Sequence, residues 1–343
     1  MSSAAGVMAD VRDGVMANVR DGDFELLSQR NIAAGVWEMK LRGDCSGISR
    51  PGQFVNVSVP GFFLRRPISV ANLERDQGAR EAELTLVYKV VGEGTAALAQ
   101  LGSGITLNLL TGLGNGFGAV PDAACSPRSV PAETNGSGSG SGSGFGSSSA
   151  SGSGSGSGFA AAESQAGAGA SSSSDAAVTI GSEEHMKPVR DAVLLIGGGV
   201  GVPPLYWLAR ELREAGYGVQ VALGFNTAAD VFYEREFAEL GCTVAVASVD
   251  GSYGVPGFVT ALMPDPQQYR YFYTCGPLPM LRAVYEASGS VPGEFSFEER
   301  MGCGYGACMG CSHHVRLADG SDGYKRICAE GPVLRKEEIL WEK

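Results

Sequence analysis

Apolar and polar residues alternate in short stretches through the first third of the chain. The alternation has the two-residue period of half-buried strands over 36–41, 53–59, 83–91 and 105–110. Pro-Gly pairs at 51–52 and 60–61 mark turns. Several short strands at this spacing predict a small β-barrel over residues 23–118, with one short helix over 96–101.

After residue 190 the apolar runs become continuous and alternate with helical patterns. The predicted elements are strands over 191–196, 219–223, 243–248 and 270–274 and helices over 205–215 and 279–287. The turn between the first strand and the first helix contains Gly197, Gly198, Gly199 and Gly201. This βαβ order predicts a parallel α/β sheet over residues 189–290, with a phosphate-binding turn at the N-terminus of the helix.

A stretch of different composition separates the two patterned regions. Residues 136–174 are almost entirely Gly, Ser and Ala, which cannot bury a core. The range 119–188 is therefore predicted to be a flexible insert at a domain boundary. Residues 7–14 are nearly repeated as 15–22, and the range 1–22 is expected to be a disordered N-terminal extension.

Composition and charge narrow the class of protein. The 343 residues are 44% hydrophobic and 18% charged, which is typical of a globular chain with a sizeable core. The net charge of -11 disfavours nucleic acid as a partner. No apolar run reaches the roughly 18 residues of a membrane span, and Asp10, Arg12 and Asp13 precede any apolar run, so neither a membrane segment nor a secretory signal is expected.

Four of the eight cysteines lie near the C-terminus and have the spacing of iron–sulfur ligands. Cys303, Cys308 and Cys311 form a C-x4-C-x2-C run, and Cys328 follows. This is the plant-type pattern for a [2Fe-2S] cluster, with three thiolates on one loop and a fourth from outside it. Interspersed glycines would let the backbone N–H groups turn toward sulfur. Thiolate ligands require a reducing compartment, which predicts a cytoplasmic location.

Other interpretations of these cysteines are weaker. A structural zinc site usually has paired C-x2-C knuckles, and only one C-x2-C is present. A disulfide pair is a further alternative. A Rieske centre would need two histidines in place of two cysteines. Because all four cysteine positions are filled, His313 and His314 are expected to be surface or supporting residues.

Three further segments have the composition of nucleotide-binding sites. An arginine beside a proline-stiffened strand in 64–70, and a glycine turn opening a helix in 92–95, can together hold a pyrophosphate. Cys275, Gly276 and Pro277 follow a predicted strand, where a backbone could approach a nicotinamide closely. Cys275 is equally well explained as a small buried apolar residue. The absence of Arg and Lys from 224–230 favours NAD over NADP.

These motifs together resemble a known superfamily. A barrel with Arg-Pro-Ile-Ser, then Gly-Gly-Gly-Val-Gly-Val-Pro-Pro, then Cys-Gly-Pro is similar to the ferredoxin–NADP reductases. The segments 299–311 and 325–333 narrow the resemblance to the electron-transfer subunits of class 1B dihydroorotate dehydrogenases, over residues 22–118 and 189–335. This resemblance implies a β-barrel FAD-binding domain (23–118), an α/β parallel-sheet NAD-binding domain (189–290) and a small C-terminal [2Fe-2S] domain (291–343).

The resemblance also implies cofactors, residues and a partner. Its flavin contacts would be Arg66, Pro67, Ile68, Ser69, Val87, Tyr88, Lys89, Gly94 and Thr95. Its cluster ligands would be Cys303, Cys308, Cys311 and Cys328. The implied partner is a separate FMN-containing barrel subunit that oxidises dihydroorotate in pyrimidine (UMP) biosynthesis, two of each subunit forming a heterotetramer. Electrons would pass from its FMN through the cluster and FAD to NAD+, and this chain alone would not oxidise dihydroorotate.

The same resemblance leaves alternatives. The electron-transfer subunits of bifurcating NADH-dependent ferredoxin:NADP oxidoreductases and of sulfide dehydrogenases are similar over most of the length, but their first cluster ligand is commonly an aspartate where this chain has Cys303. A zinc-stabilised nucleotide-binding regulator is a non-enzymatic alternative. The partner is expected to contact the cluster loop through Met301, Tyr305 and Met309, unless these residues only shield the cluster from water.

Overall fold

Six antiparallel strands form a closed barrel in the first part of the chain. The computed structural model describes residues 18–121 and 192–341. The barrel strands are β1 (Arg20–Ala33), β2 (Val36–Asp44), β3 (Phe54–Val57), β4 (Arg66–Glu74), β5 (Glu81–Lys89) and β6 (Thr106–Leu113). They close in the order β1-β2-β5-β4-β3-β6, and helix α1 (Glu93–Leu98) lies between β5 and β6. The inward residues are apolar, as Met39, Leu84 and Leu86 are fully buried, and closure leaves no exposed edge strand.

The second part is a seven-stranded, mostly parallel sheet with helices. Its elements are β7 (Ala192–Gly198), α2 (Pro203–Glu214), β8 (Val219–Phe225), α3 (Glu234–Glu239), β9 (Thr243–Ser248), β10 (Val255–Pro256), β11 (Tyr269–Cys275), α4 (Leu278–Ala287), β12 (Gly293–Ser296) and β15 (Val333–Arg335). The strand order is β10-β9-β8-β7-β11-β12-β15. Every residue of β7 is buried, which explains its uninterrupted apolar run, because a central parallel strand is covered on both faces.

The cysteine-rich region is built on one edge of this sheet. A hairpin of β13 (Ser312–Arg316) and β14 (Asp322–Arg326) separates the loop carrying three cysteines from the loop carrying Cys328. The chain then returns as β15, which pairs antiparallel with β12. Two strands of the range 291–343 thus belong to the α/β sheet, and the cysteine loops are anchored to it.

Side chains fix the barrel against the α/β sheet. Arg210 of α2 donates to Asn72 Oδ1 at 2.6 Å and to the carbonyl of Leu73 at 2.9 Å. The Tyr233 hydroxyl donates to Glu38 Oε2 at 2.9 Å. Asn115, just after the barrel, donates to the carbonyl of Val333 at 2.8 Å. The relative placement of the barrel, the sheet and the cysteine loops is therefore set by specific hydrogen bonds.

The predicted fold class is confirmed. Each predicted strand and helix is present with its ends shifted by at most three residues. Strand β1 begins at Arg20, so the end of the predicted extension 1–22 belongs to the barrel; residues 1–17 and nearly all of the predicted insert 119–188 lie outside the described residues. None of the helices in the described ranges is long and apolar enough to cross a membrane.

Candidate functional site

The four C-terminal thiols approach one another as two pairs. The backbone N–H of Cys308 donates to Cys303 Sγ at 3.4 Å, and the N–H of Cys328 donates to Cys311 Sγ at 3.4 Å. The N–H of Gly306 donates to Cys328 Sγ at 3.1 Å and so links the two loops. Within the described ranges, no three Cys, His, Asp or Glu side chains surround one point at the distances of a single bound ion.

The electrostatics of the loop favour one thiolate in each pair of cysteines. A hydrogen bond from the Cys328 thiol lowers the pKa of Cys311 to about 6, and the same hydrogen bond raises the pKa of Cys328. Burial tends to raise the pKa of Cys303, but hydrogen bonds from the N–H groups of Tyr305 and Cys308 outweigh it and lower this pKa to about 7. Thiolates held by backbone N–H groups are the ligands that iron–sulfur clusters use.

The residues therefore fit a [2Fe-2S] cluster, which takes two cysteines on each iron. One pair is inside the protein, since Cys311 and Cys328 are 3% and 1% exposed. The other pair is at the surface, since Cys308 is exposed and Cys303 is partly exposed. The side chains of Tyr305 and Met309, on the same loop, are exposed, whereas Met301 packs against the core. His313 lies 3.6 Å from the Glu299 carboxylate and packs on Phe297.

Arg326, beside the cysteines, forms hydrogen bonds with both cysteine loops. Arg326 donates from Nη1 to the carbonyl of Gly306 at 2.7 Å and from Nε to Glu330 Oε1 at 2.9 Å. Gly306 has a φ of 89°, a conformation that favours glycine. Arg326 thus connects the two cysteine loops, and this role was not predicted from the sequence, because nothing in the spacing indicates that Arg326 faces Gly306.

Two of the segments predicted to hold a flavin meet at one end of the barrel. The guanidinium of Arg66, at the start of β4, packs on Gly94 in α1 so closely that a Cβ on Gly94 would lie 2.5 Å from Arg66 Cζ. Cζ also lies 5.1 Å from the centre of the Phe62 ring. Gly94 thus provides the space that the arginine occupies, and an arginine held beside a helix N-terminus fits a pyrophosphate.

The other predicted flavin residues have distinct environments. Pro67 is exposed and Ser69 is half-buried, whereas Ile68 faces the barrel core. The hydroxyl of Thr95 accepts from the N–H groups of Val91 and Gly92 at 3.0 and 3.2 Å and fixes the turn before α1.

The strand β5 residues predicted for the flavin connect to other parts of the fold. Val87 is buried. The Tyr88 hydroxyl donates to Gln29, which in turn holds the carbonyl of Leu98 at the end of α1. Lys89 forms an ion pair with Asp230 of the α/β domain at 3.2 Å. Lys89 therefore lies where the barrel meets the α/β domain.

The glycine turn and the Cys-Gly-Pro segment are brought together by parallel pairing. Gly197 pairs with Cys275 in the register of β7 and β11. A Cβ on Gly201 would overlap the carbonyl of Cys275 and lie 2.5 Å from the nitrogen of Gly276. Gly199 has a φ of 52° and no atoms near its Cβ direction, so this backbone is open for close approach by a ligand.

A cavity of about 390 Å³ opens at the carboxyl ends of β7 and β8. Its lining includes Gly198, Gly199 and Pro277 from the predicted site, Lys89 from the barrel, and Phe258. Its volume is within the range of small-molecule sites, and its position is where open α/β sheets bind ligands. Asp230 and Phe258 contribute to this cavity but were not predicted from the sequence.

Asp230 is charged at neutral pH. Burial opposes its ionisation, but hydrogen bonds from Thr227 and Lys89 outweigh this effect and keep the pKa of Asp230 below its ordinary value. The cavity wall thus carries a carboxylate paired with a barrel lysine.

The Cys275 side chain is turned into the protein. It is 1% exposed, and burial raises the pKa of its thiol, with the nearby Glu298 carboxylate adding to the effect. Glu298 has accessible surface, but enough protein surrounds its carboxyl that desolvation raises its pKa as well. At this position the backbone of Cys275, and not its thiol, borders the glycine turn.

Known proteins match this arrangement at three levels. Residues 298–340 match the family model described as the iron-sulfur cluster binding domain of dihydroorotate dehydrogenase B. A relative from Bacillus caldolyticus is 37% identical over 319 residues, which is 91% of this chain and 96% of the relative. One from Bacillus pumilus (strain SAFR-032) is 34% identical over 319 residues, with 92% and 96% covered. Both are named dihydroorotate dehydrogenase B (NAD(+)), electron transfer subunit.

A solved structure has the same fold. It is that of an NADH-dependent reduced ferredoxin-NADP oxidoreductase, with a TM-score of 0.63, 24% identity, and 93% of this chain and 90% of that chain covered. Because the curated relatives exceed 30% identity along nearly their whole length, the chain belongs to the family of dihydroorotate dehydrogenase B electron transfer subunits.

Proposed function

We propose that this chain carries electrons between a dihydroorotate-oxidising partner subunit and NAD+ in pyrimidine biosynthesis. One observation carries the proposal: paired thiols lie at the surface on a loop that also contacts the barrel, one strand away from the residues suited to a flavin. A relay needs this arrangement, because a partner must reach one side of it and a second cofactor the other.

The cofactors are FAD, a [2Fe-2S] cluster and NAD. When bound, the cluster relays single electrons and the flavin exchanges single electrons for the hydride of the nicotinamide. The proposed ligands are Cys303, Cys308, Cys311 and Cys328. Backbone N–H groups donate to the sulfurs of Cys303, Cys311 and Cys328, and burial of Cys311 and Cys328 would exclude water from the inner pair.

The proposed flavin site centres on Arg66 and Gly94. Arg66 would hold the pyrophosphate, with the backbone of Pro67, Ile68 and Ser69 along the flavin ring. Val87, Tyr88, Lys89, Gly94 and Thr95 would complete the contacts. The structure supports this proposal because the Arg66 guanidinium already lies on Gly94.

The proposed NAD site is the cavity at the carboxyl ends of β7 and β8. Gly197, Gly198, Gly199 and Gly201 would receive the phosphates, and Cys275, Gly276 and Pro277 would border the nicotinamide. We favour NAD over NADP because residues 224–230, at and after the end of β8, contain no Arg or Lys to bind a 2′-phosphate.

The partner is proposed to be an FMN-containing barrel subunit in a heterotetramer with two copies of each chain. It would dock on the outer cluster face around Tyr305 and Met309, whose side chains are 38% and 53% exposed. We propose a cytoplasmic location because the thiolate ligands need a reducing compartment.

The isolated chain tests this function directly. We expect NADH-dependent reduction of an artificial dye and no oxidation of dihydroorotate, because the described domains are suited to a nucleotide and a relay but provide no second barrel. Adding the catalytic subunit should give dihydroorotate-dependent reduction of NAD+. Dihydroorotate turnover by the chain alone would contradict the two-subunit scheme. Reduction of NADP+ by reduced ferredoxin would favour the bifurcating alternative.

The flavin site is tested by Gly94→Ala. A methyl group there would displace the Arg66 guanidinium, and a lost charge-assisted hydrogen bond costs about 1.5–3 kcal/mol. We therefore expect FAD binding to weaken by about tenfold or more. Alanine favours a helix over glycine by roughly 0.5–1 kcal/mol, so the melting temperature of the apoprotein should not fall. Ultrafiltration and flavin absorbance measure the binding.

The matched control is Gly102→Ala. Gly102 lies between the same helix and β6, outside the predicted phosphate-binding turn, and no atom lies within 4 Å of its added Cβ. This variant should retain FAD like the wild type. Equal FAD binding by both variants would rule out Arg66 as the pyrophosphate anchor.

A further inference from the structure

Strand β3 contains a buried amide in an otherwise apolar setting. Asn56 is 2% exposed and lies between Val55 and Val57, which are both fully buried. Its Oδ1 has no hydrogen-bond partner among the described residues. Leaving a buried polar atom unpaired costs about 1–3 kcal/mol. The amide oxygen therefore needs a hydrogen-bond donor that none of the described residues supplies.

The position of Asn56 indicates what that partner is. In the register of β3 and β4, Asn56 pairs with Pro67, which belongs to the segment proposed to lie along the flavin. On its other side the amide contacts Gly304, the residue that follows Cys303. A Cβ on Gly304 would overlap Asn56 Nδ2 and lie 3.0 Å from Cγ. The Asn56 side chain thus contacts the backbone next to Cys303, and its own strand pairs with β4, which carries residues proposed to bind the flavin.

The two ends of the amide differ in their surroundings. Nδ2 faces the cysteine loop, and Oδ1 is farther from Gly304, at 3.4 Å from the same added Cβ. A flavin ring carries an N–H group that needs an acceptor, and thiolate ligands and cluster sulfurs accept N–H donors. Nδ2 is thus placed to donate toward the cysteine loop, and Oδ1 is the end left without a donor among the described residues.

We propose that Asn56 is a positioning residue that links the two redox centres, donating from Nδ2 toward the cluster loop and accepting at Oδ1 from the bound flavin. This inference rests on the proposed function. Asn56 fixes the separation and relative orientation of the two cofactors, and it fills with protein a space that water would otherwise enter. Asn56 therefore sets the rate at which single electrons cross between the barrel and the cluster.

The test is Asn56→Leu in the full chain with its cofactors bound. Leucine has the same branching at Cγ but no amide. We expect the electron paramagnetic resonance spectrum of the reduced cluster and the visible band of the flavin both to shift. In anaerobic stopped-flow with NADH, cluster reduction should be about tenfold slower, which corresponds to about 1.4 kcal/mol in the barrier. Asn56→Ser, whose hydroxyl is too short to reach both sides, should give the same result if the leucine variant folds poorly.

The matched control is Thr111→Val. Thr111 is also buried in the barrel with an unpaired Oγ1 among the described residues, but it pairs with Arg20 on strand β1 and not with the segment proposed to lie along the flavin. Its spectra and rate should equal those of the wild type. If an Asn56 variant changes the melting temperature but leaves either spectrum or the rate unchanged, Asn56 does not link the centres. A wild-type chain without flavin and cluster signals would instead overturn the proposed function.

Discussion

Cys308→Ser is expected to abolish the iron–sulfur cluster and leave the flavin in place. Cys308 and Cys303 form the outer thiol pair, so losing one sulfur leaves one iron with a single protein thiolate. Cys308 is exposed, so the substitution removes a ligand without disturbing the core. Iron content and the cluster absorbance should fall to background, while FAD content stays at the wild-type level.

The control for this prediction is Cys242→Ser. Cys242 is a buried cysteine in the α/β domain, and it packs in a different apolar cluster from Cys311 and Cys328. This variant should retain iron and FAD. Full iron content in Cys308→Ser would refute the ligand assignment, whereas loss of both cofactors from it would show that the barrel depends on the cluster.

Activity assays of Cys308→Ser distinguish the steps that need only the NADH and flavin sites from the step that needs the cluster. NADH-dependent dye reduction should persist in Cys308→Ser, because it needs only the nucleotide and flavin sites. Dihydroorotate-dependent NAD+ reduction with the partner subunit should fall to background, since the cluster is the proposed entry point. Both assays use one preparation, so a folding defect would lower both rates together.

Local patterns were sufficient to predict most of the fold. The strands β2, β5 and β7 have long alternating or continuous apolar runs, and these runs determine burial directly. Strand β1 was missed because only Phe24 and Leu26 of its fourteen residues are buried. It is a strand because it pairs with both β2 and β6, and such pairing is a tertiary effect that a local pattern does not contain.

The edge strand of the α/β sheet could not be predicted from the local hydrophobic pattern either. Strand β15 has three residues and pairs antiparallel with β12. A run of that length has too few positions to show a period. The sequence predicted a small C-terminal [2Fe-2S] domain beginning at 291 and did not indicate that β12 and β15 pair within the α/β sheet and anchor the cysteine loops to it.

In the candidate sites too, features within one short segment could be predicted, whereas contacts between residues far apart in the chain could not. The cysteine spacing is local, and the spacing alone is sufficient to indicate the ligand set. The ion pair of Lys89 with Asp230 joins residues 141 positions apart, and the contact of Asn56 with Gly304 crosses from the barrel to the C-terminal loop. No periodicity or motif relates residues so far apart in the chain. The contacts that join the three candidate cofactor sites could therefore be found only in the folded structure.

Gly201→Ala is expected to damage the nucleotide site and to destabilise the α/β domain. The added methyl group would overlap the carbonyl of Cys275 and the nitrogen of Gly276. Both are backbone atoms at the end of β11, which is paired with β7, so neither side can move without breaking parallel hydrogen bonds. Overpacking of this kind costs about 1–3 kcal/mol. We expect a lower melting temperature and a KM for NADH raised by about tenfold or more.

The functions that Gly201→Ala keeps and loses distinguish a local defect in the nucleotide site from general unfolding. Gly201 lies on the nucleotide side, so the folded fraction of Gly201→Ala should keep its iron, its FAD and its reduction by dithionite, and lose only reduction by NADH. Gly102→Ala is the control, because no atom lies within 4 Å of a Cβ there, and it should behave as the wild type. If Gly201→Ala binds NADH normally, the turn between β7 and α2 does not receive the phosphates, and the cavity beside it must serve another ligand.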